Sequence, residues 1–322
     1  MSEANSVKLT ADAPNKNGYF HKLWKRMWKN RWFYLFVLPA VIIMFLFCYR
    51  PMYGIIIAFK DFKVRKGILG SEWVGLYNFK RMLTYGNFGR LLYNTLYISV
   101  LKLVLGTLST LILAMLFNEI GNMKFKRVVQ SLSYLPHFIS WVILGGIIRD
   151  LFSPTRGVVN ELVKLLGHEP IYFLANEHYF VGVVIFTHIW QSIGWGTIIY
   201  LAAISSIDQE QYESAIVDGA SRFKRCIYIT IPNIAPTIIT LLILNVGGIL
   251  SAGFDQIFNL YNDSVLSVGD IIDTYVYRVG LVKFDYSYSA AIGLFKNVVG
   301  IILVVGSNMA VKVITKGEHK IW

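Results

Sequence analysis

Charge and cysteine are both scarce in this sequence. Charged residues make up 16% of its 322 positions, against roughly 25% in soluble domains, while hydrophobic residues make up 55%. This composition excludes a disordered chain and a soluble coiled coil, and it argues against an ordinary cytosolic enzyme. The two cysteines, Cys48 and Cys226, are too few for a disulfide framework or a four-cysteine zinc site.

The sequence also lacks the motifs that usually carry chemistry. It contains no phosphate-binding GxxxxGK(S/T) loop, no HExxH zinc motif and no GxSxG nucleophile motif. Its six histidines are scattered, and His188, which lies in an apolar run, is best interpreted as a hydrogen-bonded side chain facing another helix. We therefore predict that the chain is not an enzyme and has no catalytic residues, metal site or cofactor of its own.

Six apolar runs are long enough to cross a membrane as helices. A spanning helix needs roughly 20 apolar residues, and backbone groups in lipid must be satisfied within their own segment, which favours helices. We predict an all-α membrane protein whose membrane domain covers 31–315, between tails at 1–30 and 316–322. The predicted spans are about 33–59, 91–117, 128–148, 180–204, 234–250 and 290–314.

Basic residues near the spans predict the orientation. Lys and Arg favour the cytoplasmic side, and the first helix usually dominates. We therefore expect both termini in the cytoplasm, although the loop at 60–90 carries seven basic residues and opposes this rule. The net charge of +12 does not indicate nucleic acid, because the first basic cluster is better interpreted as an anchor to anionic membrane lipid. That cluster contains Lys22, Lys25, Arg26, Lys29 and Arg31.

The most informative segment lies between the fourth and fifth predicted spans, over 205–233. Asp208 is a good helix N-cap and predicts a short helix over 209–217. The Asp218-Gly219 pair then ends this helix, because glycine suits the left-handed position after a helix C-terminus.

A second short helix is expected directly after the first. Ser221 can cap it, and Pro232 and Pro236 bracket the start of the fifth predicted span. The local pattern therefore predicts a helix–turn–helix along the membrane surface. On this pattern alone, the alternative interpretation is an interfacial amphipathic loop without any partner.

This segment contains a spaced sequence pattern. It begins with Glu-x-Ala, continues after three residues with Gly, and ends after nine more residues with Ile-x-x-Pro. The segment resembles the EAA loop of inner-membrane permease subunits of type I ABC importers, with Ser214 and Ile231 in place of the family's alanine and leucine. In that family the loop docks in a groove of a cytoplasmic ATPase. The resemblance implies that the ATPase-coupling residues here are Glu213, Ser214, Ala215, Asp218, Gly219, Ala220, Ile229 and Pro232.

The resemblance extends along most of the chain, except residues 1–30. Four segments are similar to the sugar-importer branch of the family, and two more resemble its LplB-like subgroup, which is associated with oligosaccharides released from complex polysaccharides. The first four are 74–79, 94–96, 134–136 and 157–160, and the last two are 254–258 and 270–277.

Fold, partners and location follow from this resemblance as expectations. It implies a MetI-like fold in the cytoplasmic membrane, a second homologous permease subunit, and a cytoplasmic ATPase dimer that binds ATP and Mg²⁺. A solute-binding protein would meet the outside loops at about 60–90, 149–179 and 251–289. The alternatives are a secondary transporter or channel, which needs buried coupling carboxylates or inverted repeats, and a membrane-embedded enzyme. The sequence reveals neither set of features.

Polar and aromatic residues inside the predicted spans are candidates for the substrate pathway. Polar side chains in lipid usually face the bundle interior, which favours Gln191 and Asn245, whereas the aromatic residues more often have a structural role. Lys102 lies within the second predicted span as a candidate pathway charge, so uronate-containing oligosaccharides are consistent and neutral ones stay open. The candidates are Trp190, Gln191, Trp195, Tyr200, Asn245 and Lys102.

The last outside loop is acidic. It holds five acids against the two basic residues Arg278 and Lys283. These acids either complement a basic patch on a binding protein or serve only to solvate the loop. They are Asp255, Asp263, Asp270, Asp273 and Asp285.

Overall fold

A computed structural model describes residues 24–84 and 87–314. Over these residues the regular secondary structure is helical apart from one short hairpin, and the chain divides into two compact units whose boundary in the sequence lies between Ile56 and Ile57. The longer helices are α1 (Arg31–Phe59), α2 (Tyr77–Thr84), α3 (Phe88–Glu119), α4 (Met123–Phe138), α5 (Trp141–Leu151), α6 (Val158–Leu165), α7 (Glu177–Ser205), α8 (Gln209–Val217), α9 (Arg222–Val246), α10 (Phe254–Leu260), α11 (Ile272–Tyr277) and α12 (Tyr286–Ile314).

The prediction of an all-α membrane protein is confirmed. Among the described residues, five helices are long and apolar enough to cross a membrane, namely α1, α3, α7, α9 and α12. The consecutive helices α4 and α5 supply a sixth crossing if the bent pair counts as one span.

The helix α1 continues through Pro51 to Phe59, as the apolar run predicts. Proline lacks a backbone N–H and crowds the carbonyl four residues before it. The backbone relieves this conflict with a wider π-type turn over Phe45–Tyr49, directly before the proline. It then tightens to a 3-10 helix over Tyr53–Phe59.

The third crossing differs from the straight helix predicted over 128–148. The two helices α4 and α5 are bent by 104° relative to each other. The break follows a 3-10 turn that contains Pro136, after which Ile139 and Ser140 adopt extended backbone angles. Pro136 cannot continue the regular hydrogen-bond ladder, and the extended residues then turn the chain in a new direction.

The fifth crossing also differs from prediction, because the expected second short helix is not separate. Ser221 caps it by accepting a hydrogen bond from the Lys224 N–H (3.3 Å), but the helix then runs on as α9 through Pro232 and Pro236. A π-type turn over Cys226–Thr230 includes the carbonyl that Pro232 would otherwise crowd. The surface helix and the span are therefore one continuous element.

Three clusters of buried apolar side chains stabilise the second unit, and α7 lies against α3, α4 and α9. The first cluster joins α3, α5, α7 and α10 through residues such as Ile98, Leu144, Phe180 and Ile257. The second joins α2, α3, α11 and α12. Between spanning helices such side chains contribute through close packing, because lipid tails are as apolar as the side chains themselves.

A short antiparallel hairpin follows α1. It pairs β1 (Lys60–Asp61) with β2 (Glu72–Trp73). The buried amide of Asn78 donates a hydrogen bond to the carbonyl oxygen of Ala58 (3.0 Å), and so connects the start of α2 to this turn.

Two further buried asparagines hold loops to helices. The amide nitrogen of Asn94 donates to the carbonyl oxygens of Ser267 (2.9 Å) and Asp270 (3.1 Å). Asn160 donates to the carbonyl of Ile171 (3.0 Å) and accepts from the N–H of Ile171 (2.7 Å). Such bonds satisfy main-chain groups of loops that have no helical partner.

Candidate coupling surface and membrane cavity

The loop between the fourth and fifth crossings begins as the sequence predicts. The helix α8 covers Gln209–Val217, and the Asp208 carboxylate accepts a hydrogen bond from the Glu210 N–H (3.0 Å). This bond satisfies one of the main-chain donors that every helix N-terminus leaves free.

The helix α8 ends in a Schellman motif centred on Gly219. The N–H of Ala220 donates to the carbonyl of Ala215 (2.8 Å), and the N–H of Gly219 donates to the carbonyl of Ile216 (3.0 Å). Gly219 has a φ of +74°, a left-handed conformation that glycine adopts without a steric penalty. The glycine therefore sets the turn that separates α8 from α9.

The loop exposes apolar side chains beside its polar ones. Glu213, Ser214 and Asp218 are exposed, which leaves these coupling candidates free to meet a partner. Apolar side chains are also exposed on this loop, and the sequence reasoning did not select them, although apolar residues in a polar surface loop were a usable signal. Among them are Ile216, Val217, Phe223 and Tyr228.

Other residues of the loop face inward and attach it to the helix bundle. The hydroxyls of Tyr212 and Thr230 form a hydrogen bond (2.9 Å) that connects α8 to the start of α9. Tyr212 and Ile229 pack against the third apolar cluster, which we call the loop anchor. Its buried residues are Ala114, Tyr200, Ile204, Ile207 and Ile234.

The remaining coupling candidates fall between these two groups. Ala215 and Ala220 are half-buried, and Pro232 is exposed in α9. Of the eight candidates, Ile229 therefore packs inward against the loop anchor, whereas the Glu213 side chain faces solvent.

A cavity of about 450 Å³ lies among the spanning helices. Its wall includes four of the six predicted pathway residues, Lys102, Trp195, Tyr200 and Asn245. Other polar residues of the wall that the sequence reasoning did not select as pathway residues are Ser99, Thr107, Thr110, His137, His188, Ser192 and Ser251.

The other two predicted pathway residues do not line this cavity. A helix turns about 100° per residue, so Trp190 lies about 200° around α7 from His188 and faces away from the wall. The amide nitrogen of Gln191 donates a long hydrogen bond to the carbonyl of His137 (3.4 Å), and the Trp190 side chain is exposed. Neither residue belongs to the wall of this cavity, and their role in the substrate pathway stays a prediction.

An aromatic platform is present in the wall. The rings of His137 and Trp195 stack nearly parallel, with centroids 4.8 Å apart and an interplanar angle of 2°. Phe138 meets Trp195 edge-on at 5.5 Å. His137 reaches this position because it lies in the 3-10 turn at the break between α4 and α5.

Lys102 brings a basic side chain to the wall and is itself buried, at 7% exposure. Its Nζ donates to the carbonyl oxygen of Ala252 (2.6 Å) and to Oε1 of Gln256 (2.5 Å). In the described part of the chain, no carboxylate forms an ion pair with it. Ala252 and Gly253, which follow α9, have left-handed φ values of +43° and +85°.

The acids of the last predicted outside loop are largely occupied within the chain. Burial alone lowers the pKa of the Arg278 guanidinium, but its hydrogen bond and attraction to Asp270 more than offset this and raise that pKa. Three of the five acids form such pairs, so they are neither free solvating groups nor available for a partner. The pairs are Asp270 with Arg278, Asp273 with Lys296, and Asp285 with Arg81.

Metal chemistry is not indicated in the part of the chain that is described. No group of three or more His, Cys, Asp or Glu side chains there could hold a metal ion. The arrangement instead combines a polar and aromatic cavity with a surface loop, and Tyr200 contributes both to the cavity wall and to the apolar cluster under the loop.

Comparison with known proteins agrees with this architecture. Residues 102–314 match the family described as the binding-protein-dependent transport system inner membrane component. The chain is 45% identical to the protein LplB of Bacillus subtilis strain 168 over 284 residues, which cover 88% of this chain and 89% of that protein. It is also 45% identical to YteP of the same strain, a polygalacturonan/rhamnogalacturonan transport system permease protein, over 88% of each chain.

A solved structure shares the fold. It is a crystal structure of a bacterial ABC transporter involved in the import of the acidic polysaccharide alginate, and one of its chains is 37% identical to this one, with a TM-score of 0.84. The match covers 91% of this chain and 99% of that chain. A second structure shows the bacterial alginate transporter in complex with an alginate pentasaccharide-bound periplasmic protein, again with 37% identity and a TM-score of 0.84. The chain therefore belongs to the binding-protein-dependent transport system inner membrane components, the non-catalytic, multi-pass permease subunits of ABC importers.

Proposed function

We propose that this chain is the permease subunit of an ATP-driven importer of oligosaccharides derived from polysaccharides, and that residues 205–233 couple it to a separate ATPase. The observation that carries this proposal is the Schellman-capped loop around Gly219, which exposes polar and apolar side chains on one surface. A loop with this composition is typical of a docking surface, because large exposed apolar side chains cluster where a partner covers them.

The coupling role rests on which residues of the loop are free. Glu213 offers a charge to a basic partner, and the exposed Val217 and Phe223 offer apolar area. Gly219 supplies the bend, and Ile229 transmits movement through the loop anchor. ATP and Mg²⁺ bind to the partner ATPase in this proposal, because the sequence of this chain has no phosphate-binding loop.

The orientation and extent of the permease are part of the same proposal. The membrane domain covers 31–315, with tails at 1–30 and 316–322, and both termini are cytoplasmic. Support comes from the basic cluster before α1. With this orientation the loop at 205–233 faces the ATPase, and the outside loops face a solute-binding protein.

Oligosaccharide as the cargo is supported by the cavity and by the relatives. A volume of about 450 Å³ lies within the usual range of roughly 300–1,000 Å³ for ligand sites, and the wall combines hydroxyls with the Trp195 platform. Two relatives are named for polygalacturonan/rhamnogalacturonan transport and for alginate import. A second, homologous permease subunit would complete the path, since an ATPase dimer offers two docking grooves.

Purification of the tagged chain from its native membrane in mild detergent tests this proposal. We expect a second six-span permease and a Walker-type ATPase to co-purify, and we expect ATP-dependent oligosaccharide uptake after reconstitution. Repeated recovery of the chain alone, together with uptake driven by an ion gradient, would instead indicate a secondary transporter and refute the coupling role.

A matched pair of variants makes the same experiment specific for the loop. Val217 is 87% exposed on α8, and Leu165 is 83% exposed on α6 in an outside loop. Val217→Asp should lower ATPase recovery at least about tenfold, if the valine is buried in the complex. Leu165→Asp should leave ATPase recovery unchanged, because it makes the same chemical change on another surface.

A further inference from the structure

The ammonium group of Lys102 has an unused hydrogen-bond donor. A lysine ammonium carries three N–H donors, and the two acceptors found for Lys102 among the described residues are the Ala252 carbonyl and Gln256 Oε1. Both distances, 2.6 and 2.5 Å, are as short as charge-assisted hydrogen bonds. A buried cation that has only neutral acceptors is incompletely compensated.

The position of Lys102 is fixed by a second layer of hydrogen bonds. The amide nitrogen of Gln256 donates to the carbonyl of Val184 (2.7 Å) and to the hydroxyl oxygen of Thr187 (2.9 Å). These two acceptors require the NH₂ group on that side, so the Gln256 oxygen must point at Lys102. The ammonium group is therefore held at the cavity wall before any ligand arrives.

A second unsatisfied group lies next to it. Ser99 is three residues before Lys102 on α3, a spacing that puts both side chains on one helix face, and both line the cavity. The Ser99 hydroxyl is buried and has no hydrogen-bond partner among the described residues. One spare cationic donor and one spare hydroxyl suit a ligand that has two acceptor oxygens.

From this geometry we infer that Lys102, with Ser99 beside it, binds a carboxylate of the transported oligosaccharide and so selects acidic over neutral sugars. The inference rests on the proposed function for its cargo class. A carboxylate compensates the buried cation through a charge-assisted bond and still has an oxygen for the hydroxyl. An uncharged ester or alcohol of the same shape accepts hydrogen bonds but leaves the positive charge of Lys102 uncompensated.

The alternative is that Lys102 only stabilises the left-handed turn at Ala252 and Gly253. The two roles predict different results. A residue that only stabilises the turn supports binding of any sugar equally, whereas a carboxylate-binding residue changes only the preference between acidic and neutral sugars. The decisive quantity is therefore a ratio of affinities rather than an affinity.

Equilibrium dialysis of the purified full-length chain, with its co-purifying subunits, measures this ratio. The probes are trigalacturonic acid and its fully methylated ester, which differ in charge at nearly constant shape. We expect the wild type to bind the acid roughly ten- to a hundredfold more tightly, the range typical of a hydrogen bond to a charged group. Lys102→Met should abolish this preference, and Lys102→Arg should keep most of it.

Two further variants protect the test against misfolding. Ser99→Asp keeps Lys102 and its bonds but supplies an internal counter-charge, so it should remove the preference for the acid while ester binding persists. Lys296→Met is the matched control for a lysine in another spanning helix, where Lys296 pairs with Asp273 (2.5 Å), and it should keep the preference.

The inference is overturned if the wild type binds both probes equally or neither probe, if Lys102→Met retains the preference, or if it weakens both probes equally. ATP-dependent uptake is measured separately on the same preparation. A Lys102-dependent preference without ATP-dependent uptake would refute the proposed function and leave the carboxylate site standing. ATP-dependent uptake without a preference for the acid would support the proposed function and refute the carboxylate site.

Discussion

Replacement of Gly219 is the most direct test of the coupling loop, because the free-energy cost of the substitution can be assigned to the backbone conformation alone. Gly219 has a φ of +74°, and a Cβ added there would meet nothing within 4 Å. A larger side chain therefore causes no clash, and its whole effect comes from the backbone. For an L-residue the left-handed conformation costs roughly 1–2 kcal/mol, and more for a β-branched side chain.

This strain converts into a measurable loss of coupling. A cost of about 1–2 kcal/mol changes a conformational ratio about five- to thirtyfold. If the ATPase binds only the Schellman-capped loop, its apparent affinity is multiplied by the fraction of loops that keep this conformation. We therefore expect Gly219→Val to lower ATPase recovery and ATP-dependent uptake by about five- to thirtyfold at unchanged membrane insertion. Gly219→Asn should lower ATPase recovery and uptake much less, because asparagine tolerates the left-handed region.

Gly121 provides the matched control for this series. It lies in the loop between α3 and α4 and has no left-handed φ, and a Cβ added there would also meet nothing within 4 Å. Gly121→Val should therefore retain wild-type recovery of the ATPase. Normal coupling in Gly219→Val, or an equal loss in Gly121→Val, would refute the role assigned to the backbone of this turn.

Three further substitutions test packing and strain, each through the melting temperature of the purified protein. A Cβ on Gly194 would overlap the main chain of Ser133, so Gly194→Ala should destabilise by about 1–3 kcal/mol, whereas Gly182→Ala, in open space, should not. Asn160→Leu removes four buried hydrogen bonds and should cost at least about 3 kcal/mol, with faster proteolysis of its loop. Ala252→Gly should stabilise by about 1 kcal/mol, because φ is +43° there; unchanged melting temperatures would contradict these assignments.

The crossings were predictable from the sequence because bilayer thickness, rather than packing, sets the length of an apolar run. The predicted span at 180–204, for example, differs from α7 (Glu177–Ser205) by only a few residues at each end. The break between α4 and α5 was not predictable in this way. A proline-centred turn leaves the hydropathy of the run unchanged, and the bend appears only when the backbone around Pro136 is built.

The coupling loop was predictable in its first half and not in its second. Local rules suffice for α8, since Asp208 and Gly219 act within one turn of the helix ends. The continuation of α9 through Pro232 depends on a π-type turn over Cys226–Thr230, which the rule that a proline ends or kinks a helix does not anticipate.

Residue type alone could not decide which polar residues face the cavity. His137 lines it only because the helix breaks there, and Trp190 faces away only because of its phase on α7. Several residues in the segments that carried the family resemblance serve to hold loops. Asn94 and Asn160 bind main-chain groups, and Gln256 positions Lys102.

The cavity and the coupling loop are joined by one helix, and this connection explains how docking could change the pathway. Tyr200 of α7 lines the cavity and also belongs to the loop anchor. Asp208 lies three positions after the end of α7 at Ser205, and the anchor packs Tyr212 of α8 against the same side chains. Because packed interiors resist continuous deformation, we expect a displacement of α8 to move α7, and with it Trp195 and Tyr200 in the cavity wall.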